Sequence, residues 1–362
     1  MSDSNPIKRI FDLYTSDLSY QEIERLVKKE ASEVYEFFSK DIPKPDPTRN
    51  KITRGFIFAR SLFNAFILKL TPARRIFYLV ALLFFLLGYF STNSNPGYIL
   101  LSFIILNLLL AFELADKLSA KSELDVARNI QFDLIPKHSS KIFNYNVASY
   151  YEPARDVGGD YFDIIELPER CYIFIGDISG KGMAAALYMV RVQSILHMLL
   201  ESITDVRELI INFKKLFAKN LRREYFLTLN AASVESNGKI RITRAGHSPV
   251  FWYRHDAKQF EVICPQGLCI GLNDKGVFEK TLEEVTVHPG VNDIVFFYTD
   301  GVNETMNVMF QQFGDENIKR VIQNNCDKPV EEIKNSLLRA IMSFRGTAHQ
   351  YDDLTFVILK AD

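Results

Sequence analysis

The sequence has few of the residues that build metal-binding or disulfide-rich domains. Among 362 residues there are four cysteines, six histidines and one tryptophan. The cysteines form neither a CxxC pair nor a Cys/His pattern of the kind that binds zinc. We therefore predict buried, reduced thiols in a protein that faces the cytosol. These cysteines are Cys171, Cys264, Cys269 and Cys326.

An excess of one charge is also missing, since 43 Lys and Arg balance 44 Asp and Glu. Such a balance argues against a nucleic-acid partner, which normally requires a basic surface. The first residues are polar and charged, so no secretory signal is expected. Hydrophobic residues make up 48% of the chain. The chain can therefore bury a sizeable core, and its length favours two modules.

The first third of the chain is where apolar residues are most dense. Residues 1–42 have the spacing of short amphipathic helices, and the prolines at 43–47 end that pattern. Residues 51–70 are apolar but interrupted by Arg and Lys. This mixture is typical of a helix at a membrane interface, or equally of a soluble helix that packs on its neighbours. We treat residues 1–70 as one helical N-terminal region.

Two apolar runs follow, Ile76–Phe90 and Tyr98–Phe112. Each reaches about 18 residues with its flanks, slightly short of a full membrane span. The connector at 91–97 carries no charge, and basic residues lie only on the outer sides of the pair. This pattern predicts a transmembrane hairpin at 71–115 whose two ends face the cytoplasm, in the cell (inner) membrane. The alternative is a buried helical hairpin. The flanking basic residues are Arg74, Arg75, Lys117 and Lys121.

The segment 116–137 predicts a linker helix that ends at Pro136. Five of its positions repeat at the spacing of a coiled-coil seam, which would allow two chains to pair as a homodimer. A plain spacer helix is the alternative. The seam positions are Ala120, Leu124, Ala127, Gln131 and Leu134.

Residues 138–362 alternate short β-rich runs with helical patterns. Tight turns such as the one at 235–238 join adjacent strands, which is typical of antiparallel hairpins. We therefore expect an α+β domain without repeated βαβ units.

Four acidic motifs in this domain lie at strand ends, beside glycine or a second acid. They are Gly158–Asp163, Gly176–Gly182, Tyr298–Gly301 and Tyr351–Asp353. Carboxylates that converge on one point repel unless a cation neutralises them, and an oxygen-only set favours Mg²⁺ or Mn²⁺. Two such ions can activate water and hold a phosphoryl group. Any single aspartate of this kind is commonly just a turn or cap residue.

These motifs, in their order, resemble the SpoIIE/RsbU branch of the metal-dependent (PPM, type 2C) Ser/Thr protein phosphatases. The matching segments are PARDVGGDYFD, GDISGKGMAAALYM, RAGHSPV, YTDGVNET and QYDDLTFVIL, preceded by AxxIQxxLIP at 127–136. The resemblance covers about residues 125–360 and does not extend to residues 1–110.

The resemblance implies an αββα four-layer sandwich with two Mn²⁺ or Mg²⁺ ions at one edge. By this resemblance Asp177 would bridge both ions, the backbone carbonyl of Ile178 would be an additional ligand, and metal-bound water would be the nucleophile. The helix after the glycine turn would act as a switch. The expected substrate is a phosphorylated anti-anti-sigma (STAS-domain) protein. The remaining implied ligands are Asp160, Asp300 and Asp352, with Asp353 as the fallback for Asp352.

Other residues and functions remain open. Arg155 is a candidate phosphate contact or a solvated loop charge. His247 is a candidate general acid or a structural turn residue. The loop GDISGKG lacks the spacing of a nucleotide-binding P-loop. A catalytically inactive PPM-fold scaffold, or a membrane signalling module without catalysis, is the alternative to an enzyme.

Overall fold

In a computed structural model of the protein, the described residues are 51–90, 96–136, 140–219, 221–272 and 276–362. The chain divides into two units, one ending at Ser119 and the other running from Ala120 to Asp362. The helices predicted within residues 1–42, and most of the connector at 91–97, lie outside the described residues.

The described part of the first unit is helical. Helix α1 spans Lys51–Lys69, α2 spans Pro72–Phe90, and α3 spans Pro96–Asp133 and continues into the second unit. Gly88 of α2 lies so close to α3 that a Cβ there would be 2.6 Å from the Ile99 side chain. At the opposite end of α2, the Arg74 guanidinium pairs with Glu113 at 2.8 Å and with Asp116 at 2.7 Å. A small residue and an ion-pair cluster therefore hold α2 against α3 at both ends.

Two of these helices have the composition of membrane spans. Helices α2 and α3 are long and apolar enough to cross a bilayer, and most of their large apolar side chains are exposed. Exposed apolar surface of this extent indicates contact with lipid or a partner. A third helix, α4 at Met183–Leu200, meets the same criteria, but seven of its residues are buried in the second unit. Its apolarity is explained by that packing.

The second unit contains two antiparallel sheets. The five-stranded sheet has the order β3-β4-β5-β6-β9 and the six-stranded sheet the order β1-β2-β11-β10-β7-β8. The strands are β1 Lys141–Ile142, β2 Tyr145–Glu152, β3 Asp160–Glu166, β4 Arg170–Ile178, β5 Leu227–Glu235, β6 Ile240–Ala245, β7 Val250–Arg254, β8 Gln259–Ile263, β9 Glu284–Val287, β10 Ile294–Tyr298 and β11 Leu354–Ala361.

Helices cover the outer face of each sheet. Helix α4 and α5 (Val206–Ala218) pack on the five-stranded sheet, while α8 (Gly314–Asn324) and α9 (Val330–Arg345) pack on the six-stranded one. Two short helices complete the unit, α6 at Phe278–Thr281 and α7 at Asp300–Asn303. The layers are those of the αββα sandwich that the resemblance implies.

The core explains why the central strands are apolar on both faces. In β4, Ile173 and Ile175 point between the sheets, whereas Tyr172 and Phe174 point to the helices. Side chains alternate along a strand, so a strand between two covered faces must be apolar throughout. This burial fixes the register of the strands whose ends carry the acidic motifs.

Candidate active site

Four strand ends bring the acidic motifs to one edge of the sandwich. Asp160 is the first residue of β3, and Asp177 is the last but one of β4. Asp300 begins the short helix α7 just after β10, and Asp352 and Asp353 directly precede β11. The two sheets thus contribute aspartates from both sides of the same edge, and we call these five residues the aspartate cluster.

Asp160 is the most deeply buried member of the cluster. Its carboxylate accepts hydrogen bonds from the Thr299 and Thr355 hydroxyl groups of the opposite sheet, the first at 2.7 Å. Burial, and then the charges of Asp353 and Asp177, hold its pKa well above the ordinary value. The two threonines partly offset the cost of burying this carboxylate and fix its orientation.

Asp177 and Asp300 are two further members of the cluster, and both are partly buried. Burial, followed by the charges of Asp300, Asp352 and Asp353, raises the pKa of Asp177 to about 7. Burial and the Asp352 charge also raise the pKa of Asp300. Gly301 allows the backbone after Asp300 to lie against Asp353, because a Cβ on residue 301 would lie 1.9 Å from the Asp353 carbonyl oxygen. The cluster therefore concentrates carboxylates at one edge, where burial and their mutual repulsion raise their pKa values.

The Asp353 carboxylate accepts hydrogen bonds from the backbone of a neighbouring loop. Its Oδ1 accepts from the Ala154 amide at 2.7 Å, and its Oδ2 accepts from the Gly159 and Asp160 amides at 2.6 and 3.3 Å. Both oxygens of this buried carboxylate are thus engaged. Asp353 holds the Gly158–Asp160 turn in place and has little capacity left for a cation.

Asp352 has the opposite character. It is half-exposed, and its Oδ2 pairs with the Lys181 ammonium group at 2.9 Å. Lys181 also donates to the Tyr351 carbonyl oxygen at 2.6 Å. Lys181 is itself exposed just before α4, and nothing in its local sequence pattern reveals that it pairs with a cluster aspartate 171 positions away along the chain.

Gln131 at the end of α3 anchors the turn that presents Asp160. Its amide nitrogen donates to the Gly158 carbonyl oxygen at 2.8 Å, and its amide oxygen accepts from the Gly158 N–H at 3.0 Å. Gln131 is 2% exposed. The sequence pattern assigns Gln131 to a coiled-coil seam. A polar residue among the apolar seam positions was the sequence signal that Gln131 has a role besides helix pairing. Within the described chain, the hydrogen bonds of the Gln131 side chain are made to the unit Ala120–Asp362, to which Gln131 itself belongs.

Within the described chain, the remaining candidate residues make no hydrogen bond to a carboxylate of the cluster. The Ile178 carbonyl oxygen lies 3.1 Å from the position of a Cβ on Gly159, at the edge of the cluster. Arg155 is exposed in the loop after Ala154, and no ion pair with a described residue is found for it. His247 is buried in the loop between β6 and β7, with Nδ1 2.8 Å from the Thr228 hydroxyl of β5, and burial lowers its pKa to about 3. This environment favours the structural interpretation of His247.

Two antiparallel sheets with outer helices and an aspartate cluster at their shared edge define a PP2C-type phosphatase domain. The sequence profile described as Stage II sporulation protein E (SpoIIE) matches residues 168–362, more than half of the chain. The chain therefore belongs to the SpoIIE family.

Two curated relatives match beyond the family profile. Phosphoserine phosphatase RsbU of Bacillus subtilis is 26% identical over 250 residues, which cover 66% of this chain and 70% of RsbU. Protein IcfG of Synechocystis is 25% identical over 280 residues, which cover 69% of this chain but only 43% of IcfG. The prediction of a Ser/Thr phosphatase is thereby confirmed.

Solved structures confirm the fold. The SiaA PP2C domain of Pseudomonas aeruginosa aligns with a TM-score of 0.61 at 17% identity, over 68% of this chain and 99% of that domain. The PP2C domain of Bacillus subtilis SpoIIE, with a fragment of its regulatory domain, aligns with a TM-score of 0.52 at 21% identity, over 61% of this chain and 64% of that one. The predicted αββα sandwich is therefore correct.

Proposed function

We propose that this protein is a membrane-anchored, divalent-metal-dependent phosphoserine/phosphothreonine protein phosphatase. The observation that carries the proposal is the aspartate cluster, in which five carboxylates share one edge and Lys181 is the one cation paired with them among the described residues. A buried cluster of this charge is stable in its ionised form only with further positive charge.

The donor chemistry of the cluster fits Mg²⁺ or Mn²⁺. All its side-chain donors are carboxylate oxygens, the ligand type that hard cations prefer. Asp160, Asp177, Asp300 and Asp352, with the Ile178 carbonyl, are the proposed ligands for two ions. When bound, such ions neutralise the cluster, lower the pKa of water and stabilise the charge of a phosphoryl group.

The other residues of the site position these ligands. Asp353 and Gln131 hold the Gly158–Asp160 turn, while Thr299 and Thr355 orient the Asp160 carboxylate. Lys181 keeps Asp352 at the edge of the cluster. Ligands held by such second contacts need little reorganisation when a cation or substrate binds. Arg155 remains a proposed contact for the substrate phosphate, since its side chain is exposed in the loop that precedes the Gly158–Asp160 turn.

The proposed substrate is a phosphorylated STAS-domain anti-anti-sigma regulator. The name of the RsbU relative, a phosphoserine phosphatase, supports a phosphoserine substrate. We also propose a two-pass hairpin of α2 and α3 within residues 71–115, a cytoplasmic catalytic domain at 138–362, and dimer formation through the linker at 116–137. The exposed apolar faces of α2 and α3 support the anchor.

The deciding experiment measures phosphate release from a phosphoserine peptide by the full chain in lipid nanodiscs, with EDTA, Mg²⁺ or Mn²⁺. We expect activity with either metal, none with EDTA, and none in the Asp177→Asn and Asp300→Asn variants. Full binding of Mn²⁺ without any hydrolysis of peptide or p-nitrophenyl phosphate would favour an inactive scaffold. An exposed aspartate away from the site, Asp256, provides the control variant Asp256→Asn.

A further inference from the structure

We propose that residues Val308, Met309 and Phe310, here called the apolar tip, form a docking contact for an apolar surface of the phosphoprotein substrate beside its phosphorylated residue. The inference rests on the proposed phosphatase function, because it concerns how a protein substrate is held at the aspartate cluster. It assigns a substrate-binding role to a loop that lies outside the acidic motifs.

The apolar tip is unusual in its exposure. Val308, Met309 and Phe310 are 61%, 70% and 75% exposed, and they are consecutive in sequence. Turns of this kind are normally polar, because polar residues satisfy the backbone locally and cost nothing in water. A contiguous exposed apolar surface on a folded domain is typical of an interaction site.

The loop that carries the apolar tip is held in one shape. The Asn307 side-chain oxygen accepts from the Met309 and Gln311 amides at 2.9 and 3.1 Å, and Asn307 itself is 9% exposed. Met306 and Gln312 pair as an isolated antiparallel bridge at the base of the loop. These contacts fix the backbone on which the three apolar side chains project.

The backbone at Phe310 has a φ of 58°. Bulky residues adopt this left-handed region at a cost, and glycine or asparagine would be the usual choice. A strained backbone that retains a large apolar side chain is a pattern found at ligand-contact sites. Folding stability alone therefore does not account for phenylalanine at this position.

The base of the loop borders the aspartate cluster. Thr305 and Met306 line the same cavity as Asp352 and Tyr351. The Thr305 hydroxyl donates to the Gly301 carbonyl oxygen at 2.7 Å, next to Asp300. Three residues of extended chain span about 10 Å. The proposal places the residues that flank a phosphorylated side chain bound at the cluster against the apolar tip, which begins two residues after Met306.

The charges around the loop favour a protein surface over a membrane. Glu304 lines the cavity, and Asp315 and Glu316 lie in the first turn of α8, the helix after the loop. Acidic residues around an apolar contact repel the anionic surface of a cytoplasmic membrane leaflet. A lipid contact is therefore the alternative that the experiment must detect.

The experiment compares two phosphoserine peptides of equal length and charge, one with Leu, Ile and Val around the phosphoserine and one with Ser, Gly and Ala there. The full chain in nanodiscs is assayed with Mn²⁺, and p-nitrophenyl phosphate reports the chemistry without docking. We expect the wild type to have a KM about tenfold lower for the apolar peptide, the scale of burying a few methylene groups.

The test variant is Met309→Gln/Phe310→Asn, because asparagine tolerates the φ of position 310. It should lose the preference for the apolar peptide and keep its turnover of p-nitrophenyl phosphate. The matched control is Val291→Asn, which removes a residue of 66% exposure before the start of β10, at the end of that strand away from Asp300. The control should retain the preference.

Three outcomes would overturn the inference, and a fourth concerns the proposed function instead. A wild type without preference, or a variant that keeps it, excludes docking at the apolar tip. Quenching of Phe310→Trp fluorescence by brominated nanodisc lipids would show that the tip contacts lipid, whereas a shift on adding the apolar peptide supports docking. Failure of the wild type to hydrolyse p-nitrophenyl phosphate with any metal would reject the phosphatase proposal itself.

Discussion

Asp160 lies directly opposite Asp177 in the antiparallel ladder of β3 and β4. Like charges at opposite positions of such a ladder destabilise it. The backbone pairing is nevertheless complete along both strands, because the register is fixed by the buried apolar residues between them. The sheet therefore forces two carboxylates together, and the consequences of that repulsion can be measured.

The first prediction concerns pH and stability without metal. Asp177 has its pKa raised from 3.8 to about 7 in the folded chain. Between these values the folded state binds more protons than the unfolded state, so stability falls as pH rises through this window. In EDTA we expect the thermal midpoint at pH 8 to rise by a few degrees in Asp177→Asn, and much less at pH 5. Mn²⁺ should raise the midpoint of the wild type and have less effect on the variant.

The measurement is thermal unfolding of the full chain in nanodiscs, followed by circular dichroism. Asp256→Asn removes an exposed aspartate and should leave both midpoints unchanged. An Asp177→Asn variant that is destabilised equally at both pH values would show that repulsion within the cluster is not significant.

The second prediction separates two adjacent aspartates. Asp352→Asn removes a half-exposed carboxylate that pairs with Lys181, so the fold should persist while Mn²⁺ binding weakens and phosphate release falls. Asp353→Asn places an amide among three backbone donors, which leaves at least one buried N–H without an acceptor. Such a group costs about 1–3 kcal/mol of stability.

Thermal unfolding and Mn²⁺ titration of both variants test this contrast. Asp353→Asn should lower the thermal midpoint more than Asp352→Asn does. Asp352→Asn should raise the Mn²⁺ concentration for half-maximal activity more strongly than Asp353→Asn does. The reverse order would make Asp353 the ligand and Asp352 the positioning residue.

The third prediction concerns the membrane hairpin. In a cysteine-free background, Ser94→Cys in the connector should react with a membrane-impermeant maleimide in intact cells, because the uncharged connector is expected outside. Restored Cys264, which is exposed in the catalytic unit, should react only after lysis. Equal labelling of both positions in intact cells would contradict the two-pass arrangement.

Much of the catalytic domain was predictable because apolar runs and glycine-flanked acids are local patterns. The β-rich runs at 171–176, 226–235, 293–299 and 353–359 end within one or two residues of β4, β5, β10 and β11. Strand β3 was less clear, since its first residues, Asp160 to Asp163, read as an acidic motif. Their strand pairing depends on β4, which no local pattern reveals.

The parts of the site that could not be predicted depend on contacts between distant segments. Thr299 and Thr355 lie within the motifs YTDGVNET and QYDDLTFVIL, but only the pairing of β10 with β11 brings both hydroxyl groups to Asp160. The choice between Asp352 and Asp353 depended on which side chain meets the Ala154 and Gly159 amides. Adjacent residues with the same side chain can be distinguished only by their surroundings.

The last prediction concerns the connection between the linker helix and the site. Gln131→Ala would leave the N–H and carbonyl groups of Gly158 unpaired in a buried turn. Asp353 holds the next amide of that turn, so the position of Asp160 depends on both contacts. Loss of such a supporting contact typically weakens a metal site 10- to 100-fold, and we expect a loss of about that size in Mn²⁺ affinity.

Gln131→Glu refines this test, because glutamate retains the acceptor for the Gly158 N–H but has no donor for its carbonyl oxygen. Its Mn²⁺ affinity should fall between those of the wild type and Gln131→Ala. Asn129→Ala changes an exposed residue of the same helix and should have no effect. If all three variants have the wild-type Mn²⁺ dependence, the end of the linker helix does not set the geometry of the site. If the two Gln131 variants lose affinity in that order while the thermal midpoint of Gln131→Ala stays near that of Asn129→Ala, the helix acts on the position of Asp160 rather than on overall stability.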